Sequence, residues 1–307
     1  MLIGNGTLAA RGLKALLDAG FRVPLVLADS NDNGVSTWRE SLIEKARCFG
    51  YGPGDNLIQP KNPNHHSIVE RIQSLDCDAI LSLQCKRLIR KSMIEASTYG
   101  VINLHNAPLP LLRGCAPFAW AIHDGLKHMG VTLHKIEDEG VDNGPILSQR
   151  TWEIAQSDTA WSLYHRALDE AVIFMREVLP SVLAQKLQGE PQDERYVTYH
   201  PMGQFDFSAL QTDWSLPAAT LSARLRSRIF PPLQLPFFTV DNKEVRILKC
   251  HLSAERGSPG TVLSASPLRI AAKWGSIVIE EVLFRGESMR GQDFSKLMSL
   301  VCGAKLA

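Results

Sequence analysis

The chain lacks a surplus of charge of either sign, and it lacks a long apolar run. Its 33 Lys and Arg residues nearly balance 32 Asp and Glu residues in 307, and the formal net charge is +1. Such a surface is not typical of a protein that binds nucleic acid over a whole face. No apolar run reaches the roughly 18 residues of a membrane-spanning helix. Asn5 and Arg11 interrupt the first apolar segment, so neither a secretory signal nor a membrane partner is expected.

The six cysteines form no Cys-x-x-Cys pair. That spacing is typical of zinc-binding and redox-active motifs, so both kinds of site are disfavoured. With 45% hydrophobic and 21% charged residues, the composition is that of a globular protein and not of a disordered one. We expect reduced thiols, no bound metal and a cytoplasmic location.

Short apolar runs alternate with helical patterns in the first two thirds of the chain. Helical spacing predicts a first helix over 8–17 and a long helix over Asp158–Leu187, which Pro180 is expected to end or kink. The alternation predicts an α/β fold with a doubly wound, mostly parallel, Rossmann-like sheet. The predicted buried strands of that sheet are 23–27, 79–83, 101–104 and 131–134.

The last third of the chain has a different pattern. Residues 188–205 are rich in glycine, proline and polar side chains and are predicted to be a linker. Beyond them, short β-like runs between 237 and 282 are separated by turns such as Asp241-Asn242. This pattern predicts a smaller, OB-like β-barrel domain. We therefore expect a first domain over 1–195 and a C-terminal barrel domain over 196–307.

A glycine-rich loop, Gly4-Asn5-Gly6, follows the first apolar run. It resembles the start of a dinucleotide-binding loop, in which glycines let the backbone approach a phosphate. Ala9 replaces the third glycine of that motif, and Asp29 is a weak candidate for the acidic residue that binds the ribose. A tight turn into a helix is therefore favoured over a nicotinamide dinucleotide site.

Three polar residues form the candidate catalytic set. Asn103 and His105 lie two apart in a predicted strand and face the same side, at the carboxyl end where parallel sheets bind ligands. Asp142 lies in a glycine-rich loop that can present a carboxylate to a cleft. An amide that donates to an oxyanion, an imidazole that takes a proton and a carboxylate that orients it suit acyl transfer to an amine. Separate structural roles remain an alternative, as does a metal site of His105, His134 and Asp142, which no helical His pair or Cys ligand supports.

The motifs around these residues resemble those of a known family. They are Asn103-x-His105, then Arg113-Gly114, then Gly130-Val-Thr-x-His134, then Val141-Asp142-x-Gly144-Pro-Ile. The pattern resembles the N10-formyltetrahydrofolate-dependent formyltransferases, which include glycinamide ribonucleotide, methionyl-tRNA and sugar N-formyltransferases. Asp213-Trp214-Ser215 resembles the entry to the C-terminal barrel domain of the two-domain members.

The resemblance implies an N-formyltransferase that uses N10-formyltetrahydrofolate as co-substrate and no metal. It implies that Asn103, His105 and Asp142 are the catalytic residues. The residues implied in folate binding are Arg87, Leu88, Ile89, Cys115, Asp138, Glu139, Gly140 and Val141. The acceptor is expected near the N-terminal loop, at Gly4, Asn5, Gly6 and Thr7. The glycine loop therefore need not bind a dinucleotide.

Departures from the family pattern bear on the acceptor. Methionyl-tRNA formyltransferases typically carry a basic insertion after the second strand, whereas residues 29–40 contain a single basic residue, Arg39. They also tend to lack a histidine at the position of His134, which the sugar and purine enzymes have. Asn106-Ala107 stands where the family usually has Pro-Ser or Gly-Ser, which is a change on the acceptor side.

We therefore expect a small-molecule acceptor, a nucleotide-linked amino sugar, and we disfavour tRNA. Methionyl-tRNA and another small amine, such as hydroxyornithine, are the alternatives. A folate- or nucleotide-binding module without catalysis and a dehydrogenase built on the glycine loop are more distant ones. The resemblance is compatible with a homodimer.

Overall fold

The structure is a computed structural model that describes residues 1–184, 187–231 and 233–306. The chain divides into two compact units, each assembled from three segments. The first unit comprises 1–114, 130–152 and 166–200, and the second comprises 115–129, 153–165 and the residues from 201 onward. Neither unit is a single continuous stretch of chain.

The first unit is built on a large sheet and a small one. Its strands are β1 Leu2–Gly4, β2 Val26–Ala28, β3 Leu57–Ile58, β4 Ile80–Leu83, β5 Val101–His105, β6 Arg113–Gly114, β7 His128–Ile136, β8 Ile146–Glu153 and β9 Tyr199–His200. Seven of them form the large sheet in the order β3-β2-β1-β4-β5-β7-β8. Strands β1 to β5 pair in parallel, and β7 runs antiparallel to β5. The predicted doubly wound, mostly parallel α/β sheet is confirmed.

Burial explains why the central strands are apolar throughout. β1, β2 and β4 are buried along their whole length, as expected for parallel strands that are covered on both faces. The first helix, α1 Gly6–Asp18, buries Leu8, Leu13 and Leu16 at helical spacing. The other helices that precede the long one are α2 Leu42–Cys48, α3 His66–Ser74, α4 Lys91–Ile94 and, in the second unit, α5 Pro117–His123.

The long helix α6 spans Ala160–Leu183 and passes through Pro180. The prediction that Pro180 could end this helix is wrong, because the Ala184 N–H still donates to the Pro180 carbonyl at 3.1 Å. A proline removes one backbone donor, but a single missing bond near the end of a long helix with one buried face is tolerated. Residues 185 and 186 of the predicted helix lie outside the described residues. In the described parts of the chain, no helix combines the length and hydrophobicity needed to cross a bilayer.

The stretch predicted as a linker is part of the first unit. It contains a short 3-10 helix at Glu194–Tyr196 and then β9, which pairs in parallel with β6. Gln192 and His200 are buried. The linker prediction is therefore wrong for 188–200. The contacts of this segment are mainly hydrogen bonds made by polar residues, and a polar composition is also typical of a linker.

The second unit is a six-stranded antiparallel sheet packed against helices. Its strands are β10 Phe237–Val240, β11 Lys243–Ser253, β12 Val262–Ala265, β13 Leu268–Ala272, β14 Gly275–Phe284 and β15 Glu287–Arg290. They lie in the order β10-β11-β14-β13-β12, and β15 pairs with β14. Register shifts between β11 and β14 at Ile247, Lys249 and Cys250 mark bulges, which bend a sheet into a curled, half-barrel form. The predicted barrel-type second unit is confirmed.

Helices α7 Ala218–Arg228 and α8 Gly291–Leu297 pack on this curled sheet. Its core includes Leu221, Phe238 and Phe294, which have no exposed surface. The sequence did not reveal α7, because charged residues such as Arg224 and Arg226 weaken its apolar periodicity.

Candidate active site

The carboxyl end of β5 carries two polar side chains that meet a third from β7. In the antiparallel pair of these strands, Asn103 lies opposite His134, and His105 lies opposite Thr132. Asn103 Nδ2 is 3.0 Å from His134 Nε2. His105 and His134 are 8% and 1% exposed, so both imidazoles are withdrawn from water. The register of the sheet therefore adds a second histidine to the predicted set.

Asp142 joins these side chains from the loop between β7 and β8. Its Oδ2 accepts a hydrogen bond from the Gly114 N–H at 2.9 Å and lies 3.4 Å from His105 Nδ1. Its Oδ1 is 3.5 Å from Asn103 Nδ2 and 3.5 Å from His134 Nε2. The structure thus brings Asn103, His105 and Asp142 together, the three residues predicted as a set from the sequence.

The Asp142 carboxyl is an enclosed anion. Burial by itself favours its protonated form, but the electrostatic effect of the nearby His105 ring, the interactions with His134 and the hydrogen bond from the Gly114 N–H together outweigh that effect. The pKa of Asp142 consequently lies far below the ordinary carboxyl range. Within the described residues, no group of three or more His, Cys, Asp and Glu side chains is arranged to hold a metal ion.

Backbone carbonyls determine which imidazole nitrogens carry a proton. His105 Nε2 is 2.8 Å from the carbonyl of Leu112, and His134 Nδ1 is 2.9 Å from a backbone carbonyl. A carbonyl can only accept, so both nitrogens donate. In neutral His134 the Nε2 lone pair then accepts from Asn103, which orients that amide. In neutral His105 the lone pair is on Nδ1, where an arriving proton would be stabilised by Asp142.

Two glycines let the backbone close around the site. Gly114 has a φ of 95°, and a Cβ there would lie 2.3 Å from the carbonyl oxygen of His200. A Cβ at Gly144 would lie 1.9 Å from the carbonyl oxygen of Lys135. Asp142 has a φ of 52°, a left-handed conformation that costs a non-glycine residue about 1–2 kcal/mol. The loop therefore needs anchors that hold it in this conformation.

Gln192 is one such anchor, and the sequence analysis missed it. Its Nε2 donates to the carbonyl oxygens of Asp142 and Gly144, each at 2.8 Å. Its Oε1 accepts from Nε and Nη2 of Arg113, at 3.0 and 2.9 Å. Gln192 is 50 residues from Asp142 in a polar stretch without periodicity, so no pattern in the sequence pointed to it.

Asn106 follows His105 and is also buried. Its Oδ1 has no hydrogen-bond donor among the residues that the structure describes. A buried acceptor without a partner is costly unless a water or a ligand supplies the donor. The departure from the family pattern at Asn106 therefore leaves an unused acceptor next to the candidate site.

The predicted folate segment, Arg87–Ile89, follows β4 and is held by Asn64. The Asn64 amide donates to the Leu88 carbonyl at 2.9 Å and accepts from the Arg90 N–H at 2.9 Å. The Leu88 side chain is exposed, whereas Ile89 is buried. Asn64 is a second residue that the sequence analysis missed, because its partners lie more than twenty positions along the chain.

The other predicted folate contacts lie in 138–141, apart from Cys115. Asp138 Oδ1 accepts from the Asn143 amide at 3.0 Å and from the Gly140 N–H at 2.7 Å. These two hydrogen bonds lower the pKa of Asp138 and close the loop on itself. Cys115 is partly buried and belongs to the second unit.

The predicted acceptor loop, Gly4–Thr7, joins β1 to α1. Gly6 has a φ of 63° at the first residue of the helix. The buried side chain of Asn5 makes no capping hydrogen bond to α1. The Thr7 hydroxyl accepts from the Glu40 N–H at 3.0 Å. The loop therefore offers its helix-end N–H groups and Asn5 at the carboxyl edge of the sheet.

A recess opens beside this loop, at the carboxyl ends of β1, β2 and β4. Its lining includes Gly4, Asp29, Lys86 and Arg87. The Lys86 Nζ is 4.0 Å from the Asp29 carboxylate. The recess brings Gly4, predicted to contact the acceptor, and Arg87, predicted to contact folate, to one surface.

Solved structures resemble this chain over most of its length. WlaRD, a sugar 3N-formyl transferase determined in the presence of dTDP and 5-N-formyl-THF, matches at 21% identity with a TM-score of 0.73, over 90% of this chain and 95% of that one. The N-formyltransferase of Helicobacter canadensis, determined with folinic acid and dTDP-3-aminofucose, matches at 21% identity and a TM-score of 0.73, over 91% and 97%. HypX of Aquifex aeolicus matches at 19% identity and a TM-score of 0.61, over 99% of this chain and 48% of that one. At these identities the likeness shows a common fold.

Two family models match the sequence. The Formyl transferase model covers residues 2–179, and the model of the Formyl transferase C-terminal domain covers residues 210–298. The first model alone spans more than half of the 307 residues and includes Asn103, His105 and Asp142. The resemblance and the enzyme class inferred from the sequence are confirmed, and this chain belongs to the formyl transferase family.

Proposed function

We propose that the protein transfers a formyl group from N10-formyltetrahydrofolate to the primary amine of a nucleotide-linked amino sugar in the cytoplasm. The observation that carries the proposal is the enclosed set of Asn103, His105 and Asp142 at the carboxyl end of β5. An amide donor, an imidazole and a fixed anion suit the movement of a formyl group between two nitrogens. None of the six cysteines, all of which the structure describes, is in a disulfide, which supports a reducing compartment.

His105 is suited to the proton transfers of this reaction. As the acceptor amine attacks the formyl carbon, it must lose a proton, and the departing N10 nitrogen must gain one. Neutral His105 can take the amine proton on Nδ1, and the resulting imidazolium lies between the Asp142 carboxylate and the Leu112 carbonyl. The same proton passes to N10 as its bond to the formyl carbon breaks, which restores the neutral ring.

Asn103 is suited to the formyl oxygen, on which negative charge develops during attack. One of its amide N–H groups is directed at His134 Nε2, 3.0 Å away. Among the described residues, the acceptor of the other is Asp142 Oδ1 at 3.5 Å, a distance at which a hydrogen bond is weak. That N–H is therefore available to the formyl oxygen of the substrate, and the hydrogen bond to His134 fixes the orientation of the amide. Loss of such a donor typically slows turnover about 10²–10³-fold.

Family membership and the solved relatives support folate as the formyl donor. The WlaRD and Helicobacter canadensis structures were determined with 5-N-formyl-THF and folinic acid, respectively. In this chain, Asn64 holds the backbone at Leu88 and at Arg90, on either side of Ile89. A segment held in this way gives a fixed edge of backbone groups, which suits a flat heteroaromatic ring with donors and acceptors on its rim.

A nucleotide-linked sugar is the acceptor that the surroundings of Gly4 support best. The same two solved relatives were determined with dTDP and with dTDP-3-aminofucose. Two cations, Lys86 and Arg87, and one carboxylate, Asp29, line the recess beside Gly4, and this surplus of positive charge suits a diphosphate group. A tRNA enzyme needs many phosphate contacts, whereas residues 29–40 contain Arg39 as their single basic residue.

A formylation assay with a panel of acceptors tests the proposal. The purified protein is given N10-formyltetrahydrofolate with dTDP- and UDP-linked amino sugars, hydroxyornithine or methionyl-tRNA, and release of tetrahydrofolate is measured. We expect turnover with at least one nucleotide-linked amino sugar, and Asp142→Asn serves as the matched blank. Salt-sensitive formylation of methionyl-tRNA, without any formylated sugar, would overturn the choice of acceptor.

A further inference from the structure

We infer that Gln192 is a positioning residue that holds the Asp142 carboxylate between His105 and the Gly114 N–H. This inference rests on the proposed function, in which Asp142 stabilises the protonated imidazole. Among the described residues, the hydrogen bonds of the Gln192 side chain go to Arg113 and to two backbone carbonyls and not to either imidazole, so Gln192 acts on the carboxylate indirectly.

The hydrogen bonds of Gln192 leave a single orientation for its amide. Its Oε1 faces the Arg113 guanidinium, which can only donate, with separations of 3.0 and 2.9 Å. Its Nε2 faces the carbonyl oxygens of Asp142 and Gly144, which can only accept, at 2.8 Å each. A reversed amide would face like groups on both sides. Gln192 is only 9% exposed, so water does not compete for these bonds.

The two carbonyls that Gln192 binds lie on either side of Asn143. The two hydrogen bonds hold the backbone directly after the Cα atom of Asp142, a residue whose φ is in the left-handed region. The Asp142 side chain branches from that held atom, so its carboxylate inherits the position. Without the two hydrogen bonds, the loop has fewer constraints that keep Asp142 in a conformation that a non-glycine residue otherwise avoids.

Gln192 also fixes the other partner of the carboxylate. The Arg113 side chain that it accepts from belongs to the residue before Gly114, whose N–H donates to Asp142 Oδ2 at 2.9 Å. Arg113 is 7% exposed and therefore needs its hydrogen-bond acceptors. One glutamine thus joins the donor segment and the acceptor loop that meet at the Asp142 carboxylate.

The variant Gln192→Glu tests this role with almost no change in volume. One carboxylate oxygen can still accept from Arg113, but the other faces two carbonyl oxygens and has no proton to donate. We expect kcat to fall about 10²-fold, the cost of a small misplacement of a reacting group, with KM for both substrates unchanged. We also expect faster hydrogen exchange at the Gly114 amide, while the amides of the β4–β5 ladder keep their rates.

A matched control separates this effect from a loss at Arg113. Glu194 accepts from Arg113 Nη2 at 2.8 Å but is 73% exposed, so Glu194→Gln should leave kcat and the Gly114 exchange rate unchanged. The double variant Gln192→Glu/Asp142→Asn should be no slower than Asp142→Asn alone, because both changes act on one carboxylate. If Gln192→Glu does not fold, Gln192→Met keeps the volume and removes the same hydrogen bonds.

The possible results are distinguishable. Unchanged kcat together with unchanged Gly114 exchange in the folded variant would overturn the positioning role, and so would additive losses in the double variant. A wild-type protein that formylates none of the acceptors would overturn the proposed function instead. In that case the Gly114 exchange rate, which needs no substrate, still decides whether Gln192 positions the carboxylate.

Discussion

The two polar regions at the carboxyl edge of the large sheet are built in opposite ways. Around Asp142, enclosed side chains bind one another and the backbone at distances from 2.8 to 3.5 Å. Around Gly4–Thr7, the groups on offer are backbone N–H groups, the Asn5 side chain and, in the recess beside them, long cationic side chains and the Asp29 carboxylate. Lys86, for example, is 45% exposed, and its Nζ is 4.0 Å from the Asp29 carboxylate.

This difference separates the chemistry from the recognition of the acceptor. Groups that act on the reacting atoms must be held within a fraction of an ångström before the substrate arrives. Groups that grip a flexible phosphate chain can adapt, and each of them contributes little. We therefore expect changes near Asp142 to alter kcat and changes near Gly4 to alter KM.

The largest expected effect is at the catalytic set. His105→Ala and Asp142→Ala should each lower kcat about 10³-fold, because the proton site and the anion that stabilises it act as a unit. Folate binding, measured by calorimetry, should remain close to that of the wild type. The double variant should be little slower than the slower single variant. If the fold-decrease in kcat of the double variant equals the product of the two single decreases, the two residues act independently and not as a unit.

A smaller effect is expected on stability at the loop glycines. A Cβ at Gly144 would overlap the Lys135 carbonyl oxygen, which is backbone and cannot move aside. We expect Gly144→Ala to lower the free energy of unfolding by about 1–3 kcal/mol, measured by urea denaturation. At Gly140 the nearest atoms belong to the Asn143 and Asp138 side chains, which can rotate away. Gly140→Ala should cost less, and equal costs would contradict this account of the loop.

Acid should weaken the region around Asp142 selectively. The folded-state pKa of Asp142 lies below the unfolded value of about 3.9, so its ionisation contributes stability above that value. The contribution is lost as the pH falls toward the folded-state pKa. Between pH 5 and about 3, the free energy of unfolding of the wild type should therefore fall relative to that of Asp142→Asn. A constant difference over this range would mean that the carboxylate has no stabilising partners.

The smallest expected effect is at the recess. Lys86→Ala should raise KM for the acceptor about two- to fivefold, since an exposed charge contributes about 0.2–1 kcal/mol, and kcat should not change. Lys91→Ala is the matched control, because the Lys91 side chain is 82% exposed and pairs with Glu95, the residue directly after its own helix. A lower kcat in Lys86→Ala would mean that the recess takes part in the chemical step. It would contradict the assignment of catalysis to one region and acceptor binding to the other.

Strand periodicity was sufficient to predict part of the candidate site. It placed Asn103 and His105 on one side of a buried strand, and the glycine-rich loop indicated where a carboxylate could reach them. His134 joined the motif but not the predicted set, because its contact with Asn103 depends on the antiparallel register of β5 and β7. Register between distant strands is decided by burial and pairing in the folded chain, which a local pattern does not contain.

Hydrogen-bonded anchors were beyond prediction for a different reason. Gln192 and Asn64 bind mainly backbone groups of distant segments. Their side chains carry no apolar periodicity, and a polar residue in a loop looks the same whether or not its partners are in place. The sheets were predictable because buried strands give apolar patterns that recur along the chain. A single amide that joins two loops gives no such pattern.

The small parallel pair of β6 and β9 has a consequence for protein engineering. Thr198 accepts from the Leu112 N–H through its hydroxyl at 2.7 Å, and from the Arg113 N–H through its carbonyl at 2.9 Å. The Leu112 carbonyl in turn orients the His105 ring. A shortened chain that stops at residue 195 would lack Thr198, and we expect its histidine to lose that orientation even if the large sheet folds. A fusion or truncation meant to preserve formyl transfer should keep the chain through His200.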